Sequence, residues 1–98
     1  MYYVYALKSS KDGEFYTGHT GNLKLRVIRH NKGLVNSTKY RKPLKLIYYE
    51  ACLNRKDAVR REIYLKTAWG KRYLKNRLKE FLKRSLRDSS FGASHGTP

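Results

Sequence analysis

Acidic residues are scarce in this chain: seven Asp and Glu stand against 23 Lys and Arg across 98 residues. Cysteine is scarcer. Cys52 is alone, which excludes an internal disulfide and leaves no second thiol for a zinc site. Within Glu50-Ala51-Cys52-Leu53 it reads as a small buried residue rather than a nucleophile. No apolar run approaches the roughly 18 residues a membrane-spanning helix needs. The first residues, Met1-Tyr2-Tyr3-Val4-Tyr5-Ala6-Leu7-Lys8, have neither the basic start nor the small-residue cleavage site of a secretory leader. A cytoplasmic protein is expected. No segment repeats internally.

What is present is enough for one globule. The hydrophobic fraction is 40%, too high for wholesale disorder, and the length suits one domain. We expect that domain to span residues 1–84. Residues 85–98 become small and polar from Asp88 onward, include an incidental His95, and are expected to form a disordered tail. A formal net charge of +16 costs so small a globule self-repulsion, so a polyanionic partner is the natural explanation. Nucleic acid leads, through phosphate neutralisation and counterion release.

Tyr2 to Lys8, rich in aromatic and β-branched residues, reads as a strand. Ser9-Ser10-Lys11-Asp12-Gly13 supplies a turn and Glu14 to Gly18 a second strand, together an antiparallel hairpin. Asn22 then caps a helix whose apolar face carries Leu23, Val27 and Ile28, and Gly33 stops it. After a polar connection from Leu34 to Pro43, Leu44 to Ala51 forms a third strand. Asn54 caps a second helix, with Asp57 as a partial capping box. Trp69-Gly70 marks a break. Leu74, Leu78, Phe81, Leu82 and Leu86 then recur as on a last amphipathic helix. The expected fold is α/β (α+β): a small three-stranded antiparallel sheet flanked by helices, in the order β-β-α-β-α-α.

Several residues in this frame carry chemistry. Tyr5 and Tyr16 lie on neighbouring strands, where same-face side chains stand about 5 Å apart. A tyrosine is a poor base unless a cation depresses its pKa. Arg26 and His30, four apart, share one helix face. Arg26 suits bidentate contact with phosphate, and His30 suits donation to a nonbridging oxygen or proton relay. Glu62 is one of few acids in a basic half of the chain. It is either ion-paired to its neighbours or a lone carboxylate ligand for a hard cation such as magnesium. Lys39, Arg41, Lys42, Arg60 and Arg61 are candidates for phosphate contact.

Together these residues resemble the GIY-YIG nuclease superfamily. Its two naming motifs look like Tyr3-Val4-Tyr5 and Tyr16-Thr17-Gly18 here, with Tyr3 in place of the first glycine and Thr17 in place of the isoleucine. Arg26 stands at the family's catalytic arginine, and His30 follows at its Arg-x-x-x-His spacing. Glu62 resembles the single metal-binding glutamate. Gly18 and Asn76 are further positions of structural or substrate-contacting interest. His19 stands where some members carry a Lys or His that assists the tyrosine; it is either such an assistant or an exposed loop residue. The segments Ser37 to Pro43 and Leu46 to Ala51 are similar to those of short stand-alone bacterial members, themselves similar to the nuclease domain of the bacterial excision-repair endonuclease.

The resemblance implies a divalent-metal-dependent endonuclease cutting DNA with one Mg²⁺ or Mn²⁺ ion. In that mechanism Tyr5, helped by His19 or Tyr16, activates water. Arg26 and His30 stabilise the pentavalent phosphate, and Glu62 holds the metal. Which tyrosine is the base stays open. A domain of about 84 residues leaves no space for added recognition elements, so structure-directed or non-specific cleavage is expected, with a place in DNA repair or recombination. The other reading is a non-catalytic nucleic-acid-binding module with a vestigial site. A partner protein supplying specificity is not identified by the sequence.

Overall fold

In the computed structural model, residues 1–84 are described. The expected tail and Leu86 lie outside them. The elements are β1 (Tyr2–Ser9), β2 (Phe15–Thr20), α1 (Leu23–Asn31), β3 (Leu44–Cys52), α2 (Arg55–Leu65) and α3 (Ala68–Arg77). Residues 79–84 are also helical. All strand pairs are antiparallel, in the order β2-β1-β3. The expected α+β architecture and element order are therefore present.

The central strand explains the layering. Val4, Tyr5, Ala6 and Leu7 are all buried, although successive side chains point to opposite faces. Both faces of β1 are therefore covered. Val4 and Ala6 meet Ala58, Leu65 and Leu74 from α2 and α3. Tyr5 and Leu7 meet Leu44, with Leu23 and Val27 of α1 packed alongside. The β1–β3 register slips between Ala6 and Leu7, where Tyr48 and Leu46 become successive partners and Ile47 is the extra residue.

Local chemistry fixes the connections. Gly13 takes φ +74° in the hairpin turn, and its N–H reaches the Ser9 carbonyl at 2.8 Å. The buried Ser9 hydroxyl accepts from Lys11 N and Asp12 N and donates to the Arg41 carbonyl at 2.6 Å. It thereby ties the turn to the loop before β3. Asn22 caps α1, its side chain accepting from Leu25 N at 3.1 Å, and Gly33 (φ +75°) follows the helix as expected. The Asn31 amide then clamps the start of β3, donating to Leu44 O at 2.8 Å and accepting from Leu44 N at 2.7 Å.

Three local expectations change. Asn54 caps α2, accepting from Lys56 N, but Asp57 pairs with Arg60 at 3.0 Å instead of reaching back as a capping-box partner. The break expected at Trp69-Gly70 falls earlier, because Thr67 caps α3 by accepting from Gly70 N at 3.1 Å. Gly70 lies inside the first turn of α3 for a packing reason. A Cβ there would overlap the Tyr64 carbonyl and the Leu65 Cα, and would lie 2.8 Å from the Leu65 carbonyl carbon. Finally, the last amphipathic stretch is interrupted at Leu78, which separates α3 from the helical residues 79–84.

Candidate active site

β1, β2 and α1 bring four of the expected site residues into one cluster. Tyr5, central in β1, points to the α1 face and is 1% exposed. Its hydroxyl lies 2.8 Å from His30 Nε2 and 3.4 Å from Arg26 Nε. A guanidinium nitrogen can only donate, so the Tyr5 oxygen accepts from Arg26 and its own proton goes to His30. His30 Nδ1 lies 2.7 Å from the Thr38 hydroxyl, which itself has the Val35 carbonyl as acceptor at 3.5 Å. A continuous chain results: Arg26 to Tyr5 to His30 Nε2, and His30 Nδ1 to Thr38 to Val35. Tyr16, on the neighbouring strand, sets its ring edge-on to His30 with centroids 5.1 Å apart and 6.4 Å from the Tyr5 ring.

Gly18 makes this arrangement possible. It pairs with Tyr5 across the β1–β2 ladder. A Cβ at that position would stand 2.6 Å from the Tyr5 hydroxyl and 3.2 Å from the Tyr16 ring. Any side chain there would push Tyr5 off His30.

Burial governs the proton affinities. It is the main cause raising the Tyr5 pKa, only partly offset by the Arg26 hydrogen bond. It also lowers His30 from 6.5 to about 4, with Arg26 adding repulsion. His30 is thus a neutral, fully buried imidazole with both nitrogens engaged. Direct donation to a phosphate oxygen, one of the roles weighed for it from the sequence, does not match this placement.

The second cluster lies on the other face of β2. His19 Nδ1 is 2.5 Å from Glu62 Oε1, and Lys66 Nζ is 2.5 Å from Glu62 Oε2. Glu62 is therefore ion-paired, with a side chain only 15% exposed. Burial is the largest single influence and disfavours its charge. The hydrogen bonds and charges of Lys66 and His19 together outweigh it and hold the carboxyl below its ordinary pKa. The Glu62 charge also raises the Tyr5 pKa, a small influence beside burial.

Beside them runs a groove of about 430 Å³ between β2 and α3, lined by Phe15, Tyr16, Lys66, Lys71, Lys75 and Leu74 among others. The remaining sequence candidates lie elsewhere. Arg41 pairs with Asp12 at 2.8 Å, and Lys39 sits over the Tyr40 ring. Lys42 packs by Gly33. Arg60 pairs with Asp57. Arg61 forks onto Glu50 at 2.9 Å and stacks over Tyr73 and Tyr64. The loop carrying Lys39, Arg41 and Lys42 adjoins α1, whereas Arg60 and Arg61 belong to α2 on the opposite sheet face, so the fold does not gather these five on one surface. Asn76 is exposed on α3 and enters neither hydrogen-bonded network.

A family model described as the GIY-YIG catalytic domain matches residues 1–77. The chain belongs to the GIY-YIG family. Among relatives of this GIY-YIG domain, a UPF0213 protein of Clostridium perfringens is 46% identical over 67 residues, covering 67% of this chain and 71% of that protein. A UPF0213 protein of Pediococcus acidilactici is 42% identical over 83 residues, covering 76% and 82%. A solution NMR structure of a UPF0213 protein from Bacillus halodurans is 32% identical with a TM-score of 0.47, covering 76% and 82%.

Two residues of this GIY-YIG domain escaped sequence reasoning. Thr38 is fully buried and orients His30, but in Asn36-Ser37-Thr38 it is indistinguishable from a solvated loop hydroxyl. Lys66 was one lysine among many. Its signal was the i,i+4 spacing from Glu62, which puts both on one helix face.

Proposed function

We propose that this chain is a divalent-metal-dependent endonuclease that hydrolyses DNA phosphodiester bonds in a structure-directed or non-specific manner. The observation that carries this reading is the hydrogen-bonded Arg26–Tyr5–His30–Thr38 chain on one face of β2 with an ionised Glu62, paired to His19 and Lys66, on the other.

The donor set fits one hard cation. Among the described residues no cluster of three or more His, Cys, Asp and Glu could hold a metal, so Glu62 would supply one anionic oxygen and water and phosphate the rest. That is the manner in which Mg²⁺ or Mn²⁺ is commonly bound beside a phosphate. When bound, such an ion neutralises charge on the phosphate and on the leaving oxygen.

The chain's own residues do the remaining work. Tyr5 holds Arg26 by its Nε, which leaves the other guanidinium N–H groups to meet phosphate oxygens. Tyr5 itself is sealed from solvent, with its proton committed to His30. Tyr16 lines the groove and is less buried, which supports it as the tyrosine that touches a water attacking the phosphate. This assigns water contact to Tyr16 and a positioning role to Tyr5, His30 and Thr38.

The test is cleavage of end-labelled branched, nicked, duplex and single-stranded DNA, with Mg²⁺, with Mn²⁺ and with EDTA. Metal-dependent products from at least one substrate are expected. Binding without cleavage on every substrate and metal would favour the vestigial nucleic-acid-binding module.

A further inference from the structure

Lys66 belongs to two sites at once. Its Nζ covers Glu62 Oε2 at 2.5 Å, and the same side chain lines the groove between β2 and α3, together with Lys71, Lys75 and Tyr16. His19 covers the other carboxylate oxygen. Both carboxylate oxygens of Glu62 are thus already engaged, and a divalent cation approaching either meets a resident partner, at Oε2 the Lys66 ammonium.

The groove supplies the counterpart. Its lysines suit an anion, Phe15 and Tyr16 offer ring surface, and its volume of about 430 Å³ accommodates a short piece of a single strand. It is continuous with the site through Tyr16 and Lys66. Lys66 is half exposed, so its flexible stem can swing between the carboxylate and a groove-bound phosphate.

We propose that the groove takes a segment of nucleic-acid strand whose phosphate draws Lys66 off Glu62, so that the carboxylate accepts a divalent cation only once the strand is in place. This rests on the metal-dependent nuclease reading and adds an order to it: strand first, metal second. An arriving phosphate does two things together. It gives Lys66 another anion, and it offers the metal the oxygen ligands that a single carboxylate lacks. Each ligand therefore strengthens binding of the other, as linkage requires.

The measurement is Mn²⁺ affinity of the full chain by electron paramagnetic resonance of the free ion, with and without a phosphorothioate DNA oligonucleotide. The Glu62→Gln variant sets the background of ions held by the oligonucleotide. Above that background, the oligonucleotide should tighten Mn²⁺ binding by about tenfold or more, within the usual range of coupling. Lys66→Met should bind Mn²⁺ tightly without oligonucleotide and show little coupling. Lys71→Glu with Lys75→Glu should lose oligonucleotide affinity and, with it, the coupling. Glu62-dependent binding that is equally tight with and without oligonucleotide would overturn the ordering alone. Coupling that survives intact in Lys66→Met would overturn the role of Lys66. If Glu62→Gln matches the unsubstituted chain throughout, the metal assignment itself fails.

Discussion

Two tyrosines of the same chemistry occupy different environments, and their phenylalanine variants should separate. Tyr5→Phe leaves the fully buried Nε2 of His30 without its donor, which costs about 1–3 kcal/mol of stability. Tyr16→Phe removes the hydroxyl of a groove-lining residue and should leave stability within about 0.5 kcal/mol while lowering the cleavage rate by roughly 10²–10⁴. Urea denaturation together with single-turnover cleavage measures both. Equal rates for Tyr16→Phe and the parent would remove Tyr16 from water contact. His30 makes a pH prediction. Its folded pKa of about 4 lies below the ordinary 6.5, so between these values the unfolded chain binds more protons. Stability should therefore be full above pH 6.5 and fall as pH drops toward 4, by up to about 3 kcal/mol from this residue. Melting curves between pH 7 and 5 should show a downward slope that His30→Asn flattens. A slope unchanged by that substitution would contradict the neutral, buried assignment. That Tyr5, Tyr16, Arg26 and His30 come together was legible in their spacing on neighbouring strands and one helix face. Their protonation was not, since it depends on burial that spacing does not report.

The elements were legible to the extent that their signals are local. Asn22, Asn54 and Gly33 announce helix ends through side-chain capping and positive φ, and all three behave so. The continuous apolar run of β1 was read as a strand, although its burial on both faces needed the knowledge that α1 and α2 cover opposite sides. Gly70 was misread because glycine in a helix interior usually marks a stop. Here it permits contact between α3 and the end of α2, a distant fact absent from any local window. The sign of one substitution tests this. Propensity alone says Gly70→Ala should stabilise the helix by about 1 kcal/mol. Overlap with the Tyr64 carbonyl and Leu65 reverses that, and we expect a loss of about 1–3 kcal/mol, read as a lower urea midpoint. A gain in stability would refute the close approach. The capping-box expectation at Asp57 failed for a local reason instead: Arg60, three residues on along the same helix, takes its carboxylate at 3.0 Å.

For the whole molecule, the excess of positive charge pointed to a polyanion without saying where it docks. The sequence suggested Lys39, Arg41, Lys42, Arg60 and Arg61, but the fold spreads these over two sheet faces and ion-pairs three of them. Of the lysines that share a groove with Tyr16, Lys8 comes from β1, while Lys66, Lys71 and Lys75 come from α3 and its approach and reach β2 only through tertiary packing. Among the described residues no helix is long and apolar enough to cross a membrane. The reading of the molecule as a metal-dependent nuclease turns on one carboxylate. The most direct measurement is the Mg²⁺-dependent cleavage rate of Glu62→Ala beside the parent chain, with circular dichroism confirming that both are folded. The account predicts a folded variant whose metal-dependent cleavage is abolished. Full Mg²⁺-dependent activity in that variant would contradict it.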